Sequence, residues 1–193
     1  MKKTIIFDLD STLNDMHIQV RNLFKEQYQI DLGNFEIPKN FPFTLDQIHE
    51  LVEKHGLLTS TNLLPGAKEL FESIRALGIE IGVITARKCF KNTADSITTD
   101  WLKKHELNVD WIDIISGEKH LIIKARKVDC LLFLDDDPKH LLDVSKAKFS
   151  KYVGTLSYPW TKNLPSEIII FKNLAEVSRF VKKICCSSQH EIA

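Results

Sequence analysis

Short apolar runs alternate with amphipathic segments along most of this chain. The runs have the length of strands and end in polar residues, and the segments between them carry apolar residues at helical spacing. Strands are predicted at residues 4–7, 79–85, 111–115, 130–134, 152–156 and 168–171. Helices are predicted around residues 67–77, 97–102 and 118–127, after Pro138 and after Asn173. This alternation predicts a three-layer α/β sandwich with a mostly parallel sheet, Rossmann-like in its layering.

The stretch between the first strand and Pro65 follows a different pattern. Apolar residues recur at helical spacing from Met16 to Tyr28, and the segment from Asp31 to Pro42 is rich in Gly, Asn and Pro. Thr44 and Gln47 form the sequence pattern of a capping box, which predicts a second helix. No convincing strand occurs there, so these residues predict a small helical insert directly after the first strand.

These patterns divide the chain into a core and an insert. We expect the α/β core to comprise residues 1–13 and 65–185, and the insert, residues 14–64, to form a helical cap. Residues 186–193 are predicted to be a disordered tail. A chain of 193 residues is long enough for one core domain of this kind.

Composition narrows the classes of function. The 26 basic residues equal the 26 acidic ones, which argues against a protein that coats nucleic acid or binds membrane surfaces. The longest apolar runs, Cys130–Leu134 and Ile168–Phe171, are too short to span a bilayer. Asp8 and Asp10 interrupt the apolar N-terminal stretch, so a signal peptide is not expected. The four cysteines show no metal-ligand spacing, and we expect a reduced, cytoplasmic protein.

Two carboxylates stand one residue apart where the first strand ends. Alternation along an extended backbone puts Asp8 and Asp10 on one face, where two anions repel unless a cation bridges them or their pKa values separate. This favours a divalent metal, with one carboxylate as a nucleophile and the other as a proton shuttle. The alternative is that one of the two aspartates only caps a following helix.

Two further polar clusters follow later strands. Thr85, Ala86 and Arg87 follow the second strand, and Asp135-Asp136-Asp137-Pro138 follow the run CLLFL. Because ligands bind beyond the carboxyl ends of parallel strands, we expect all three clusters to meet at one edge. The chemistry that they permit is phosphoryl transfer through an aspartyl-phosphate. Asp8, Asp135 and a backbone carbonyl would hold Mg²⁺, and Thr85 and Ala86 would hold phosphate oxygens.

The motifs carry a family resemblance over nearly the whole chain. Asp8-Leu9-Asp10-Ser11-Thr12, Thr85 and Asp135-Asp136 resemble the first, second and fourth motifs of the haloacid dehalogenase superfamily of phosphatases, in the same order. The resemblance implies that Asp8 is the nucleophile and Asp10 the general acid and base. It implies Mg²⁺ as the cofactor, with Asp8, Asp10, Asp135 and Asp136 at the metal.

The lysine of the third motif has two candidates. Lys119 begins a predicted helix directly after a strand, and Lys124 lies one or two turns further along that helix. We favour Lys119 as the residue that binds phosphate, because its ammonium starts closer to the strand ends. Either lysine is otherwise a solvated helix residue.

Three details resemble one branch of that superfamily, the 5'(3')-deoxyribonucleotidases and their bacterial and phage relatives. They are the small helical insert, the ITAR sequence at Thr85, and DDDP followed late by Tyr158-Pro159-Trp160. The branch implies a nucleoside monophosphate as substrate. One departure is Ser11, where many relatives have glycine.

The substrate-binding candidates each have a plain structural alternative. Phe41 and Phe43 are candidates for base stacking, although aromatic residues are not enriched in the insert. Arg87 either pairs with phosphate or lies on the surface. Trp160 either lines the pocket or covers the edge of the sheet. His17, His105 and His140 have no partner spacing and are interpreted as ordinary surface histidines.

Other functions stay open at this point. A receiver domain is disfavoured, because there the acidic pair precedes the phosphoacceptor. A silent binding protein is disfavoured by the full set of motif residues. The nearest rival is a related phosphatase for sugar phosphates or nucleic-acid 3'-phosphate ends, although balanced charge argues against extended nucleic-acid binding. No membrane partner is expected, and homodimer formation is left open.

Overall fold

The structure is a computed structural model that describes residues 2–33, 41–90 and 94–187. Six parallel strands form one sheet in these residues, in the order β3-β2-β1-β4-β5-β6. The strands are β1 (Lys3–Phe7), β2 (Glu80–Thr85), β3 (Trp111–Ile114), β4 (Asp129–Leu134), β5 (Ser150–Leu156) and β6 (Ile168–Phe171). All six predicted strands are therefore confirmed, and the predicted mostly parallel sheet is parallel at every pairing.

Helices cover both faces of the sheet. Those of the core are α4 (Ala67–Ala76), α5 (Ala94–Lys104), α6 (Lys119–Arg126), α7 (Pro138–Ala147) and α8 (Leu174–Ser187). Strand alternation distributes the apolar side chains between two clusters. Ile5 and Phe7 of β1 pack in the cluster that includes α4 and α8, and Ile6 packs in the cluster that includes α6 and α7. The three-layer sandwich is confirmed.

The described residues of the insert form three helices, α1 (Met16–Tyr28), α2 (Leu45–Lys54) and α3 (Leu57–Ser60). They share an apolar cluster that Phe90 and Ile97 of the core also join. The predicted capping box is present, because the Thr44 side chain accepts from the Gln47 N–H and the Gln47 side chain accepts from the Thr44 N–H. The short helix α3 has no counterpart in the sequence-based prediction.

Two predictions fall partly outside the described residues. The predicted loop from Asp31 to Pro42 includes residues 34–40, which lie outside them. Helix α8 extends to Ser187, into the predicted tail, and residues 188–193 of that tail also lie outside the described part. No helix of the described residues is long and apolar enough to cross a membrane.

Candidate active site

The carboxyl ends of the three central strands form one pocket, as the sequence predicts. Strand β1 lies between β2 and β4, so the residues that follow Phe7, Ile84 and Leu134 come together. The Asp8 N–H donates to the Leu134 carbonyl over 2.8 Å, which continues the β1–β4 pairing into the first motif. The pocket has a volume of about 220 Å³. Its lining includes Asp8, Asp10, Ser11, Thr85, Ala86, Arg87, Lys119, Asp135, Asp136 and Asp137.

One side of the pocket is an acidic cluster of Asp8, Asp135 and Asp136, with one ligand oxygen from each within 4.8 Å of the others. The Lys119 ammonium donates to Asp8 over 2.5 Å and to Asp135 over 2.7 Å. Lys119 is 2% exposed, whereas Lys124 is exposed. Of the two lysine candidates, the structure thus brings Lys119 to the strand ends.

Burial governs the electrostatics of the acidic cluster. Burial raises the pKa of Asp8 to about 7. The Lys119 ammonium opposes this increase only in part, and the Asp135 carboxylate adds to the increase. The pKa of Asp136 also lies well above its ordinary range, through burial and the charges of Asp8 and Asp135. Burial lowers the pKa of Lys119, but Asp135 and Asp8 outweigh this and hold it above its ordinary value. One lysine is therefore not enough to offset full ionisation of the cluster, and its carboxyl groups hold protons more readily than usual.

The donor set of the acidic cluster fits Mg²⁺. It consists of carboxylate oxygens, which are the hard ligands that this ion prefers. Full ionisation of the three carboxylates beside one ammonium would leave two negative charges, and a divalent cation would balance them. The Asp10 carboxylate, also predicted at the metal, is not part of this cluster.

The other side of the pocket is an arginine fork, in which Arg87 binds both oxygens of Asp10. Its Nε donates to Oδ2 over 2.8 Å and its Nη2 to Oδ1 over 2.6 Å. Asn14 Nδ2 also donates to Asp10 Oδ1, over 2.9 Å. Burial raises the pKa of Asp10, but Arg87 and Asn14 outweigh it and the pKa lies below its ordinary value. Arg87 is fully buried, so its interpretation as a surface residue is wrong.

The turn after β1 explains how Asp10 is held. Ser11 has φ +60°, a left-handed conformation that glycine adopts without strain. Asn14 Oδ1 accepts from the Ser11 N–H over 3.0 Å and from the Met16 N–H over 3.1 Å. Asn14, rather than Asp8 or Asp10, therefore provides the polar contact at the start of α1. Sequence reasoning missed this residue.

The three aromatic candidates for substrate binding have other partners in the structure. Phe41 and Phe43 pack against Phe24, with ring centroids 5.3 and 5.2 Å away. The Trp160 indole N–H donates to the Asp136 carbonyl over 3.0 Å, and its ring stacks on Tyr158 at 4.5 Å. None of the three lines the 220 Å³ pocket, as far as the described residues define it.

Three further described residues line the pocket; the sequence analysis did not single out two of them and interpreted the third, His140, as a surface histidine. They are His49 of α2, Phe90 and His140 of α7. The rings of His49 and Phe90 lie 5.0 Å apart, one from the insert and one from the core. His140 is part of the pocket lining rather than an ordinary surface histidine. Phe90 lies five residues after Thr85, but nothing in the sequence pattern of α2 marks His49.

Comparison with known proteins identifies the family. Residues 2–152 match the model of the "5' nucleotidase, deoxy (Pyrimidine), cytosolic type C protein" family. The chain belongs to this family. It is a hydrolase of phosphomonoesters on the haloacid dehalogenase fold, as its motifs predict.

Individual relatives agree with that assignment. The chain is 27% identical over 186 residues to a protein of Clostridium acetobutylicum named as a nucleotidase, covering 93% of this chain and 94% of that protein. A crystal structure of a predicted phosphatase from the same organism superimposes with a TM-score of 0.66 at 15% identity, over 95% of this chain and 99% of that one. A D,D-heptose 1,7-bisphosphate phosphatase from B. bronchiseptica, complexed with magnesium and phosphate, gives 0.57 at 14% identity, over 94% and 98%. The two structures share the fold with this chain.

Proposed function

We propose that this member of the nucleotidase family is a Mg²⁺-dependent phosphomonoesterase that forms an aspartyl-phosphate on Asp8 and hydrolyses nucleoside monophosphates. The observation that carries the proposal is the position of Asp8. It faces the pocket from the end of the central strand, within the acidic cluster and in contact with Lys119. A buried carboxylate becomes a useful nucleophile toward phosphate only where the surrounding charge is balanced.

The two aspartates of the first motif have different roles in the proposed reaction. An Asp8 oxygen bonds to phosphorus as the ester bond breaks, and Asp10 gives its proton to the leaving oxygen. A water then attacks the phosphorus of the aspartyl-phosphate and gives a proton back to Asp10. Inorganic phosphate leaves, and both carboxyl groups return to their starting states. Asp10 is a carboxylate beside Arg87 in the free protein, and the approaching phosphate dianion raises the pKa of Asp10, so the proton is taken up together with the substrate.

The remaining site residues bind phosphate and metal. We assign Thr85, Ala86 and Lys119 to the phosphate oxygens, since all three line the pocket and Lys119 stays cationic. Asp8, Asp135 and Asp136 are the side chains that would hold Mg²⁺. When bound, the ion neutralises charge that builds up on the transferring phosphoryl group.

The insert is the proposed cap over this site. It places His49 at the pocket, next to Phe90 of the core, so these two rings are candidates for contact with the leaving nucleoside. Substrate contacts from Phe41, Phe43 and Trp160 stay predictions, as do the domain boundaries, the cytoplasmic location and a homodimer. The nucleoside monophosphate rests on the description of the family and on the name of the C. acetobutylicum relative.

A substrate panel tests the proposal directly. Phosphate release is measured with excess Mg²⁺ and with chelator, on deoxyribo- and ribonucleoside monophosphates, sugar phosphates and a 3'-phosphorylated oligonucleotide. We expect Mg²⁺-dependent hydrolysis with a preference for nucleoside monophosphates. A preference for sugar phosphates or oligonucleotide ends would retain the mechanism and contradict the substrate. Activity that is indifferent to chelator would contradict the metal.

A further inference from the structure

The buried Arg87 joins three parts of the molecule at the edge of the pocket. We propose that Arg87 is a positioning residue, which fixes the direction of the Asp10 carboxylate and links it to the insert. The inference rests on the proposed function, because it assumes that Asp10 is the proton donor. It assigns Arg87 a role other than contact with the substrate phosphate.

The hydrogen bonds of Arg87 define this role. Besides the arginine fork on Asp10, its Nη1 donates to the Leu58 carbonyl over 3.5 Å and to Thr98 Oγ1 over 3.4 Å. Leu58 belongs to α3 of the insert and Thr98 to α5 of the core. The guanidinium thus connects the first motif to α3 of the insert and to α5 of the core.

Most N–H groups of Arg87 already have partners, so few could bind a phosphate. A guanidinium has five N–H groups, and the contacts with Asp10, Leu58 and Thr98 engage four of them. The side chain is fully buried, so no water replaces a lost partner. Any movement of Arg87 toward the substrate would break bonds to several groups at once.

The direction of Asp10 matters for one chemical step in particular. A proton donor must lie within hydrogen-bonding reach of the leaving oxygen, and general acid catalysis supplies about 10²–10⁴-fold when that geometry is met. A leaving group that is stable as an anion does not need this proton. Loss of positioning should therefore affect substrates according to their leaving groups.

The test compares kcat/KM for a nucleoside 5'-monophosphate and for p-nitrophenyl phosphate, whose phenolate leaves without a proton. Arg87→Lys keeps the charge but loses the fork geometry. We expect kcat/KM to fall about 100-fold on the nucleotide and less than about 3-fold on p-nitrophenyl phosphate. The ratio of the two values does not depend on the fraction of folded enzyme, so a partly unfolded preparation gives the same answer.

A matched control comes from the surface. Arg126 binds both oxygens of Asp113 in the same manner, far along α6 from the strand ends, and Arg126→Lys should leave both kcat/KM values unchanged. If Arg87→Lys does not fold, Thr98→Val removes one lateral contact and should give the same selectivity, about 3-fold on the nucleotide alone.

Each outcome decides the inference. An equal fall on both substrates, together with weaker inhibition by inorganic phosphate, would show that Arg87 binds phosphate and would overturn the positioning role. Unchanged kinetics in Arg87→Lys, or in Thr98→Val where only that variant folds, would overturn it as well. Failure of the proposed phosphatase mechanism looks different, because wild-type protein would then hydrolyse neither substrate, and both ideas would fall together.

Discussion

On two sides of one pocket, the pKa values of two aspartates are shifted in opposite directions. Asp8 in the acidic cluster has a raised pKa, and Asp10 in the arginine fork, two residues later, has a lowered one. Asp8 is buried and Asp10 is half-buried, and burial acts to raise the pKa of both, so burial does not explain why the two shifts are opposite. The difference comes from their partners, since Asp8 shares one ammonium with Asp135 whereas Asp10 has a whole guanidinium and an amide.

This comparison separates a site for a cation from a site for a proton. Full ionisation of the acidic cluster would leave negative charge for a divalent ion to balance, whereas the arginine fork is already neutral as a pair. A neutral pair attracts no metal but holds a carboxylate in one orientation. Under the proposed function, the acidic cluster is the metal-binding side of the pocket and the arginine fork is the acid–base side, so variants on the two sides should lose activity in different ways.

Removal of the nucleophile should have the largest effect. Asp8→Asn is expected to lower turnover by about 10⁴-fold or more and to abolish phosphoenzyme formation, because an amide cannot attack phosphorus. The measurement is phosphate release together with detection of acid-stable phosphoenzyme by mass spectrometry. Asp100→Asn, an exposed aspartate of α5, is the control and should behave as wild type. Phosphoenzyme in Asp8→Asn would assign the nucleophile to another residue.

A variant on the acid–base side should lose turnover but still bind Mg²⁺. Asp10→Asn is expected to lower turnover by about 10²–10⁴-fold, because the leaving oxygen has no proton donor. Mg²⁺ binding, measured by calorimetry, should persist, since the Asp10 carboxylate is not part of the acidic cluster. Near-wild-type turnover in this variant would contradict the role of Asp10, and loss of Mg²⁺ binding would place its carboxylate at the metal.

Stability should depend on pH through the metal-binding side. The pKa of Asp8 is raised from 3.8 to about 7 in the folded protein, so folding favours its protonated form. That contribution is present below about pH 4 and is lost as pH rises through about 7. Mg²⁺ should restore the stability by binding the ionised carboxylates.

Thermal unfolding with Mg²⁺ and with chelator measures this at about pH 5.5 and about pH 8. We expect Mg²⁺ to raise Tm by several degrees more at the higher pH, and Asp8→Asn to reduce that difference. An equal gain at both values would contradict the charge argument.

The smallest effect is expected at Asn14, which supports the arginine fork. Asn14→Asp keeps the oxygen that accepts from Ser11 and Met16 but loses the N–H donor to Asp10 and adds a like charge beside it. We expect about 10-fold lower turnover on nucleotides with little change in secondary structure, measured by steady-state kinetics and circular dichroism. Asp15→Asn next to it is the control. Unchanged turnover in Asn14→Asp would show that Arg87 positions Asp10 without help from Asn14.

Local pattern predicted the elements because strands and helices follow from spacing. The six strands, the capping box at Thr44 and the motif residues at the strand ends all follow from neighbouring residues. Parallel topology then brings Asp8, Thr85 and Asp135 to one edge, so the sequence pattern alone predicts that they converge. Helix α3 was missed because its four residues are too few to show a period.

The sequence by itself therefore determined the sheet, the insert and the identity of the residues at the strand ends. Only the tertiary structure determined which charged side chains pair with each other. Arg87 is 77 residues from Asp10 and Lys119 is 111 residues from Asp8. The Trp160 indole donates to the Asp136 carbonyl and does not line the described pocket, while the His49 and Phe90 rings meet in its lining. Such pairings depend on side-chain direction across packed helices, and no local spacing encodes that direction.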